Sequence, residues 1–265
     1  MLILFLLSIS ILCPVFIDYS EDVVKNHASM RYKSPDRIYL FGTDKFGRDV
    51  FSRVIWGTRI AFYVGGSAVA LALLIGVPFG MFCGYWGGWR DEILMRINDA
   101  FLCFPGIMLA LLIIVALGSN VVNTILAIAV AFIPRISRVI RSCVISLKDE
   151  QFVIAAQVRG EHTSHIIFRE ILPNMLGPIV VEAGVRVSYA IVLAASMSFL
   201  GMGSQPPQPA WGLMIHEARH QLFLAPWTLI FPSVALVLLV LSFNYLGDGL
   251  RDFFDPKETS SNFFK

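Results

Sequence analysis

The chain has 265 residues, of which 56% are hydrophobic and only 15% charged, and its mean hydropathy is +0.70. A soluble domain of this size cannot hide so much apolar surface, so the composition excludes that class and predicts an all-α protein that crosses the membrane several times. The formal net charge of +2 points to no particular partner besides the lipid bilayer, and we do not expect nucleic acid to be one.

The first candidate span covers residues 1–17. A spanning helix needs about 20 mostly apolar residues, or fewer where the membrane is thin. The segment has no basic start and no small-residue cleavage site, so we do not expect it to be a signal peptide.

Residues 18–59 form a polar segment that carries eight lysines and arginines. Within it, Thr43 or Asp44 can cap a helix with several apolar residues on one face. These apolar residues are Val50, Phe51, Val54 and Ile55. We expect this amphipathic helix to lie along the membrane surface, with Trp56 at the interface.

Residues 60–256 contain five further apolar segments and therefore predict a core of five spans. The predicted spans are 60–82, 100–118, 121–134, 172–200 and 222–247. Residues 85–98 form a short polar turn between two of them, and residues 257–265 form a frayed tail. The four cysteines (Cys13, Cys83, Cys103 and Cys143) lie in or beside apolar runs without metal-like spacing, so we interpret them as small apolar residues.

Six spans place both termini on the same side of the membrane. Short cytoplasmic loops are rich in lysine and arginine, and the turn at 85–98 has two, the region 135–169 has six and the tail has three. The loop at 118–124 has none. The basic segment 18–59 opposes this count, but it is long and mixed in charge, so we predict cytoplasmic termini.

A polar insertion at 151–174 separates two of the spans and is too regular to be a linker. Its first part has Phe152, Ala155, Ala156 and Arg159 at helical spacing, and Gly160 then offers a break. A second amphipathic run follows, made of Ile166, Ile167, Phe168 and Ile171. Two short helices with a glycine corner would form a compact knob that a partner protein can grip.

This insertion resembles the EAA loop of permease subunits in binding-protein-dependent ABC importers. The resemblance rests on Ala155-Ala156, on Gly160 and on Ile171-Leu172-Pro173; Ile154 and Glu170 depart from the usual residues of that loop. Three further stretches resemble the dipeptide, oligopeptide and nickel subgroup of these permeases. They are GTDKFGRDVFSR at 42–53, SFLGMGSQPPQPAWG at 198–212 and GDGLRDFFDP at 247–256.

The resemblance implies the six-helix fold of type I (MetI-like) importer permeases in the bacterial inner membrane. It further implies a second similar permease, two ATP-binding subunits and a periplasmic solute-binding protein as partners. No P-loop motif occurs in the sequence, so ATP and Mg²⁺ would be bound by the partners, and we expect this chain to have no cofactor and no enzymatic activity. Peptides are the expected solute, with nickel or another small solute as the alternative.

By the same resemblance, residues 142–173 form the loop that couples the permease to its ATPase. The expected coupling residues are Phe152, Ala155, Ala156, Arg159, Gly160, Glu161, Ile171, Leu172 and Pro173. A rigid loop near the periplasmic gate is expected as well, because non-helical backbone at membrane depth must be buried or line a cavity. Its expected residues are Gly201, Gly203, Pro206, Pro207 and Trp211.

Two charged constellations lie outside these motifs. Glu182 and Arg186 lie four residues apart within a span, so they either line the solute path or form a purely structural pair. His216, Glu217 and His220 form an H-E-x-x-H pattern, which in zinc proteases supplies two ligands and a base. An intramembrane protease with Asp248 as an added acid is a remote alternative, because no third ligand lies nearby and we expect no bound metal.

Overall fold

The computed structural model describes residues 2–254, and these residues are helical through most of their length. The α-helices, in chain order, are α1 (Leu2–Phe16), α2 (Val50–Trp86), α3 (Gly88–Leu102), α4 (Gly106–Leu117), α5 (Val121–Leu147), α6 (Gln151–Val158), α7 (Thr163–His165), α8 (Leu172–Asn174), α9 (Leu176–Phe199), α10 (Trp211–Ala218) and α11 (Trp227–Phe254). Two π-helices occupy Tyr19–Val24 and Ile166–Ile171, and a 3₁₀ turn occupies Ala28–Met30. The all-α fold is confirmed. The predicted frayed tail at 257–265 lies outside the described residues.

Four of the described helices are long and apolar enough to cross a membrane, namely α2, α5, α9 and α11. Helices α3 and α4 meet at an angle of 88° and supply a fifth span if they are counted together. Helix α1 is apolar but has only 15 residues. The six predicted spans therefore correspond, within residues 2–254, to four long helices, one bent pair and one short apolar helix.

The polar turn predicted at 85–98 is wrong. Gly87 and Gly88 turn the chain with φ values of 60° and 65°, and α3 begins at once. Two acidic residues of α3 pair with arginines of α5. The Asp91 carboxylate contacts the Nε atom of Arg141 at 2.7 Å, and Asp99 pairs with Arg138. Because these partners lie far along the chain, the local sequence of α3 looks like a loop.

The helix predicted around residues 50–56 is present, but it is not separate from the span that follows it. These residues form the first turns of α2, which runs without interruption for 37 residues, and Val50 and Val54 are buried in protein. The cap is Asp49, whose carboxylate accepts the backbone N–H of Ser52 at 2.9 Å and of Phe51 at 3.3 Å. Thr43 is unavailable as a cap because its hydroxyl accepts the N–H of Lys33 at 2.8 Å.

The described chain folds as two compact units. Within the described residues, the first is drawn from 2–68, Ala110–Ile128 and Val187–Phe243, and the second from Val69–Leu109, Ala129–Arg186 and 244–254. The first unit has a core of buried apolar side chains contributed by α2, α9, α10 and α11. They are Val50, Val54, Ile191, Trp211, Met214, Leu239 and Phe243.

In the second unit, α2 packs closely on α5 through a stripe of glycines spaced four residues apart. The pairs in contact are Gly76 with Ile136, Gly80 with Ile140, and Gly84 with Val144. A Cβ atom at Gly80 would lie 2.9 Å from the Cβ of Ile140, so an alanine there would collide with α5. Small residues at this spacing let two membrane helices approach closely, which strengthens van der Waals packing.

Candidate functional site

The polar insertion folds as a short helix that ends at a glycine corner. Helix α6 ends where Gly160 adopts a φ of 75°. The N–H of Gly160 donates to the carbonyl of Gln157 at 3.0 Å, and the N–H of Glu161 donates to the carbonyl of Ala156 at 3.2 Å. This pair of bonds is a Schellman motif, which satisfies carbonyls left free at a helix end. The predicted glycine corner is therefore present.

After the corner the chain is helical again and leads towards α9. Helix α7, the π-helix Ile166–Ile171 and α8 follow one another directly. Ile166, Ile167 and Ile171 are buried, as their spacing predicts, whereas Phe168 is 57% exposed. Leu172 is half-buried and Pro173 is exposed in the short α8, where a proline in the first turn needs no amide hydrogen. The insertion is thus linked to a membrane-spanning helix by ordered backbone.

Helix α6 has one face on the protein and one face exposed. Val153 and Ala156 are fully buried on the side that packs against the π-helix. Ile154, Ala155 and Val158 are exposed, and Val158 exposes 83% of its surface. Ala156 was expected among the contact residues, but it has no free surface. The apolar side chains that α6 does expose are therefore Ile154, Ala155 and Val158, which lie close to Ala156 in the sequence.

A network of ion pairs holds the glycine corner. Arg159 contacts Glu161 at 2.7 Å and Glu170 at 3.3 Å, and His165 lies 3.0 Å from the other oxygen of Glu161. The possible ligand atoms of Glu161, His165 and Glu170 all lie within 4.8 Å of one another, which is close enough for a metal site. Arg159 contacts both carboxylates and His165 contacts one of them, so we interpret the cluster as a set of ion pairs that holds the glycine corner.

Glu182 and Arg186 meet on α9. The Nε atom of Arg186 lies 2.5 Å from a carboxylate oxygen of Glu182, and each side chain is only 13% exposed. The guanidinium lies 5.9 Å from the ring centroid of Phe132 on α5. The intrahelical pair that the spacing predicts is therefore present, and its role in solute passage stays a hypothesis.

Hydrogen bonds within the expected gate loop and to the end of α9 stabilise its backbone. The N–H of Ser204 donates to the hydroxyl of Ser198 at 3.1 Å, and the side chain of Gln205 donates to the carbonyls of Gly201 and Gly203 at 3.0 and 3.2 Å. The peptide between Pro206 and Pro207 is cis. These contacts support the prediction of a rigid, non-helical loop.

Trp211 belongs to a helix and not to this loop, because α10 begins there. Its side chain is 3% exposed, and its Nε1 donates to the carbonyl of Val54 on α2 at 3.0 Å. Gly57 gives the indole its space, since any Cβ at that position would collide with the Trp211 ring. Trp211 therefore joins α10 to α2.

A charge network that sequence reasoning missed ties residues 44–53 to α10. Arg48 contacts Asp44 at 2.7 Å and Glu217 at 3.1 Å, and Lys45 contacts Glu217 at 3.4 Å. Arg53 is 1% exposed and donates to the carbonyl of Val23 at 2.9 Å. The sequence did contain a signal for this network, namely the eight lysines and arginines of segment 18–59, because so many positive charges favour acidic partners elsewhere in the chain.

The H-E-x-x-H residues do not form a metal site. The Nδ1 atom of His216 contacts the carbonyl of Phe199 at 2.5 Å, and the Nε2 atom of His220 accepts from Arg219 at 2.9 Å. Glu217 is committed to Arg48 and Lys45. Within the described residues, His216, Glu217 and His220 are therefore engaged with separate partners, and nothing supports the protease alternative.

Comparison with known proteins agrees with this geometry. The family model described as "binding-protein-dependent transport system inner membrane component" matches residues 76–260. The dipeptide transport system permease protein DppC of Alkalihalophilus pseudofirmus is 44% identical over 241 residues, which are 91% of this chain and 79% of that protein. The glutathione transport system permease protein GsiD of Pectobacterium atrosepticum is 44% identical over 225 residues, which are 85% of this chain and 75% of that protein.

Among solved structures, an inward-facing MetNI methionine ABC transporter matches with a TM-score of 0.63. The match covers 77% of this chain and 96% of the other, at 18% sequence identity, and so it shows a shared fold. The family match spans well over half of this chain, and both relatives are aligned over most of their own length. This chain therefore belongs to the family of inner membrane components of binding-protein-dependent transport systems.

Proposed function

We propose that this chain is the permease subunit of an ABC importer that carries peptides across the inner membrane. The dipeptide and glutathione permeases, each 44% identical to it, support peptides as the solute class. Nickel or another small solute is the alternative, since selection would rest largely with the solute-binding protein. The chain would catalyse no covalent chemistry and would rely on two ATP-binding partner subunits, which would hold ATP and Mg²⁺.

The observation that carries the proposal is the exposed apolar face of α6. Ile154, Ala155 and Val158 lie on a helix held in place by a buried face and by the ion pairs of Arg159. Fully burying a valine side chain contributes about 1.5–3 kcal/mol, so a partner that covers Val158 gains affinity from it. A groove on an ATP-binding subunit is the partner that fits such a short, fixed helix.

The backbone after α6 can transmit a displacement of α6 to the spanning helix α9. The glycine corner and the helical segment behind it join α6 to α9, which carries Glu182 and Arg186. Closure of the ATP-bound subunits would shift α6, and the helices would open the solute path to the outside. Hydrolysis of ATP would then return the inward-facing state. In this scheme the Glu182–Arg186 pair lines or braces the path.

The remaining arrangement follows from the same proposal. Both termini and α6 lie on the cytoplasmic side, and the loop before α10 lies on the periplasmic side, where the solute-binding protein delivers its cargo. A second, similar permease completes the path. The basic residues near α6, including Arg159 and Arg169, support this orientation because cytoplasmic loops are enriched in positive charge.

A cysteine crosslink tests the coupling directly. Val158→Cys is placed in a background without the four native cysteines, and Ala156→Cys serves as the matched control because Ala156 is buried in the same helix. We expect Val158→Cys to crosslink to the ATP-binding subunit in a nucleotide-dependent way and Ala156→Cys to remain unreactive. A crosslink absent from Val158→Cys with every nucleotide would contradict the coupling role.

A further inference from the structure

A short loop that the transport scheme does not use is held rigid and presents apolar side chains. We call residues 34–40 the finger. The carboxylate of Asp36 accepts the N–H of Ile38 at 2.8 Å and of Tyr39 at 2.6 Å, and the N–H of Asp36 donates to the carbonyl of Tyr39 at 2.9 Å. The hydrogen bond from Lys33 holds the pKa of Asp36 at about 2, so this carboxylate stays ionised.

The exposed surface of the finger is both apolar and basic. Ile38 is 77% exposed and Leu40 is 55% exposed, and Arg37 lies exposed between Asp36 and Ile38. Arg31, just before the finger, is exposed as well. A rigid loop keeps these aliphatic side chains exposed, and an apolar environment outside the chain would remove them from water.

The position of the finger along α11 identifies that environment. Residues 227–246 contain no Asp, Glu, Lys or Arg. These 20 residues span about 30 Å at 1.5 Å per residue, which is the thickness of the hydrocarbon core. Asp248 ends the charge-free part of α11, so a core counted back from it reaches about Trp227, where the helix begins and where tryptophan is enriched.

The chain next to the finger is fixed at this edge by two contacts. The Nε1 atom of Trp227 donates to the carbonyl of Thr43 at 3.1 Å. The ring of Phe41 stacks on that of Phe231, one helical turn further into the apolar run, with centroids 3.8 Å apart. Leu40 directly precedes Phe41, so its exposed side chain lies at the depth where headgroups meet acyl chains.

We propose that the finger is a membrane anchor, in which Ile38 and Leu40 enter the lipid interface while Arg37 and Arg31 bind the phosphates of anionic lipids. Aliphatic residues flanked by basic ones at the interfacial level suit an anionic lipid surface in both polarity and charge. A protein partner would instead need an apolar surface at the depth of the lipid headgroups in order to cover Ile38 and Leu40.

The anchor also has a mechanical connection. Thr43 is followed by Asp44, which pairs with Arg48, and Arg48 contacts Glu217 on α10. A finger held in lipid would therefore fix the outer end of α10 relative to the membrane surface.

Spin-label accessibility tests the anchor. A nitroxide is attached to Ile38→Cys or Leu40→Cys in a background without native cysteines. The full chain, with its copurifying subunits, is then reconstituted in phosphatidylethanolamine vesicles containing phosphatidylglycerol. The control is Glu21→Cys, because Glu21 is an exposed acid in the same polar segment. We expect the labels at 38 and 40 to collide more with oxygen than with an aqueous nickel chelate, and the control to show the reverse.

Two results would overturn the proposal. Labels at 38 and 40 as accessible to the nickel chelate as the control would show that the finger lies in water. Labels shielded from both reagents only when a second permease or the solute-binding protein is present would show a protein contact instead.

The role of the arginines has its own test. Replacing both Arg31 and Arg37 by Gln should lower the immersion of the Leu40→Cys label in vesicles that contain phosphatidylglycerol and leave it unchanged in neutral phosphatidylcholine. An equal effect in both kinds of vesicle would contradict binding to anionic headgroups.

Discussion

Glu217 lies between two basic residues from a segment about 170 positions earlier in the chain. It contacts Arg48, whose side chain is 4% exposed, and Lys45, and it is itself 13% exposed. Removing one partner of a buried ion pair is costly because the other charge stays in a medium of low polarity. The H-E-x-x-H pattern offered Glu217 as the base of a zinc protease, whereas in the structure it is an ion-pair partner of Arg48 and Lys45.

We predict that Glu217→Ala lowers the free energy of unfolding by about 3 kcal/mol, because Arg48 keeps only Asp44 as a partner. The measurement is thermal unfolding of the purified complex in detergent. Glu21→Ala is the matched control, since its pair with Lys25 is solvent-exposed and contributes less than about 1 kcal/mol. Equal unfolding temperatures for the two variants would show that the network adds no stability.

The Glu182–Arg186 pair permits a test that separates folding from transport. Replacing both residues by glutamine removes both buried charges together, which costs a fold little. If the pair lines or braces the solute path, the double variant should keep its unfolding temperature and lose uptake. Uptake equal to that of the unchanged complex would make the pair purely structural.

At the level of elements, the glycine stripe of α2 decides how closely this helix approaches α5. Hydropathy predicts that both helices exist, but it does not reveal that Gly76, Gly80 and Gly84 share a face. The spacing of four residues was readable from the sequence as a small-residue motif. Its partner face on α5 was not readable, because contacts between distant segments leave no local pattern.

Gly80→Ala should destabilise the chain by about 1–3 kcal/mol, because the added methyl group collides with Ile140 and the backbone of Ser137. Gly66→Ala is the control in the same helix. Nothing lies within 4 Å of its Cβ position, so the better helix propensity of alanine should raise stability by up to about 1 kcal/mol. Thermal unfolding checks the opposite signs, and a shift in the same direction for both would refute the packing account.

Two valines of α6 offer a matched pair for the coupling role. Val158 is 83% exposed and Val153 is fully buried. Val158→Asp should leave the unfolding temperature unchanged while uncoupling ATP hydrolysis from transport, because it alters only the outer face. Val153→Asp should destabilise the chain by at least about 3 kcal/mol through an unpaired buried charge. If the Val158→Asp variant still couples ATP hydrolysis to transport, the outer face of α6 does not transmit motion from the ATP-binding subunits.

The elements show where prediction from the sequence stops. The long apolar helices, the Schellman corner at Gly160 and the rigid loop at 201–207 follow from local composition and from glycine and proline chemistry. Helix α3 and the uninterrupted start of α2 do not, since their polar residues are stabilised by partners more than 30 positions away. Asp91 with Arg141 is the example in α3, and Arg53 with the carbonyl of Pro207 is the example in α2.

For the whole molecule, family membership was predictable because four motifs occur in order along most of the chain. The exposed face of α6 was predictable only in part. Helical spacing predicted α6, but the resemblance to the EAA loop included the buried Ala156 among the expected coupling residues and omitted the exposed Val158. An eight-residue helix is too short for its inner face to be recognised by periodicity.

Uptake of a labelled dipeptide into vesicles tests the central claim most directly. The complex that copurifies with this chain is reconstituted with ATP on the ATPase side and the solute-binding protein on the other, and Val158→Asp serves as the uncoupled control. We predict that the dipeptide accumulates on the ATP side only when ATP is hydrolysed, and that the control hydrolyses ATP without accumulation. ATP hydrolysis by the unchanged complex with no dipeptide accumulation, under conditions in which nickel accumulates, would contradict peptide import.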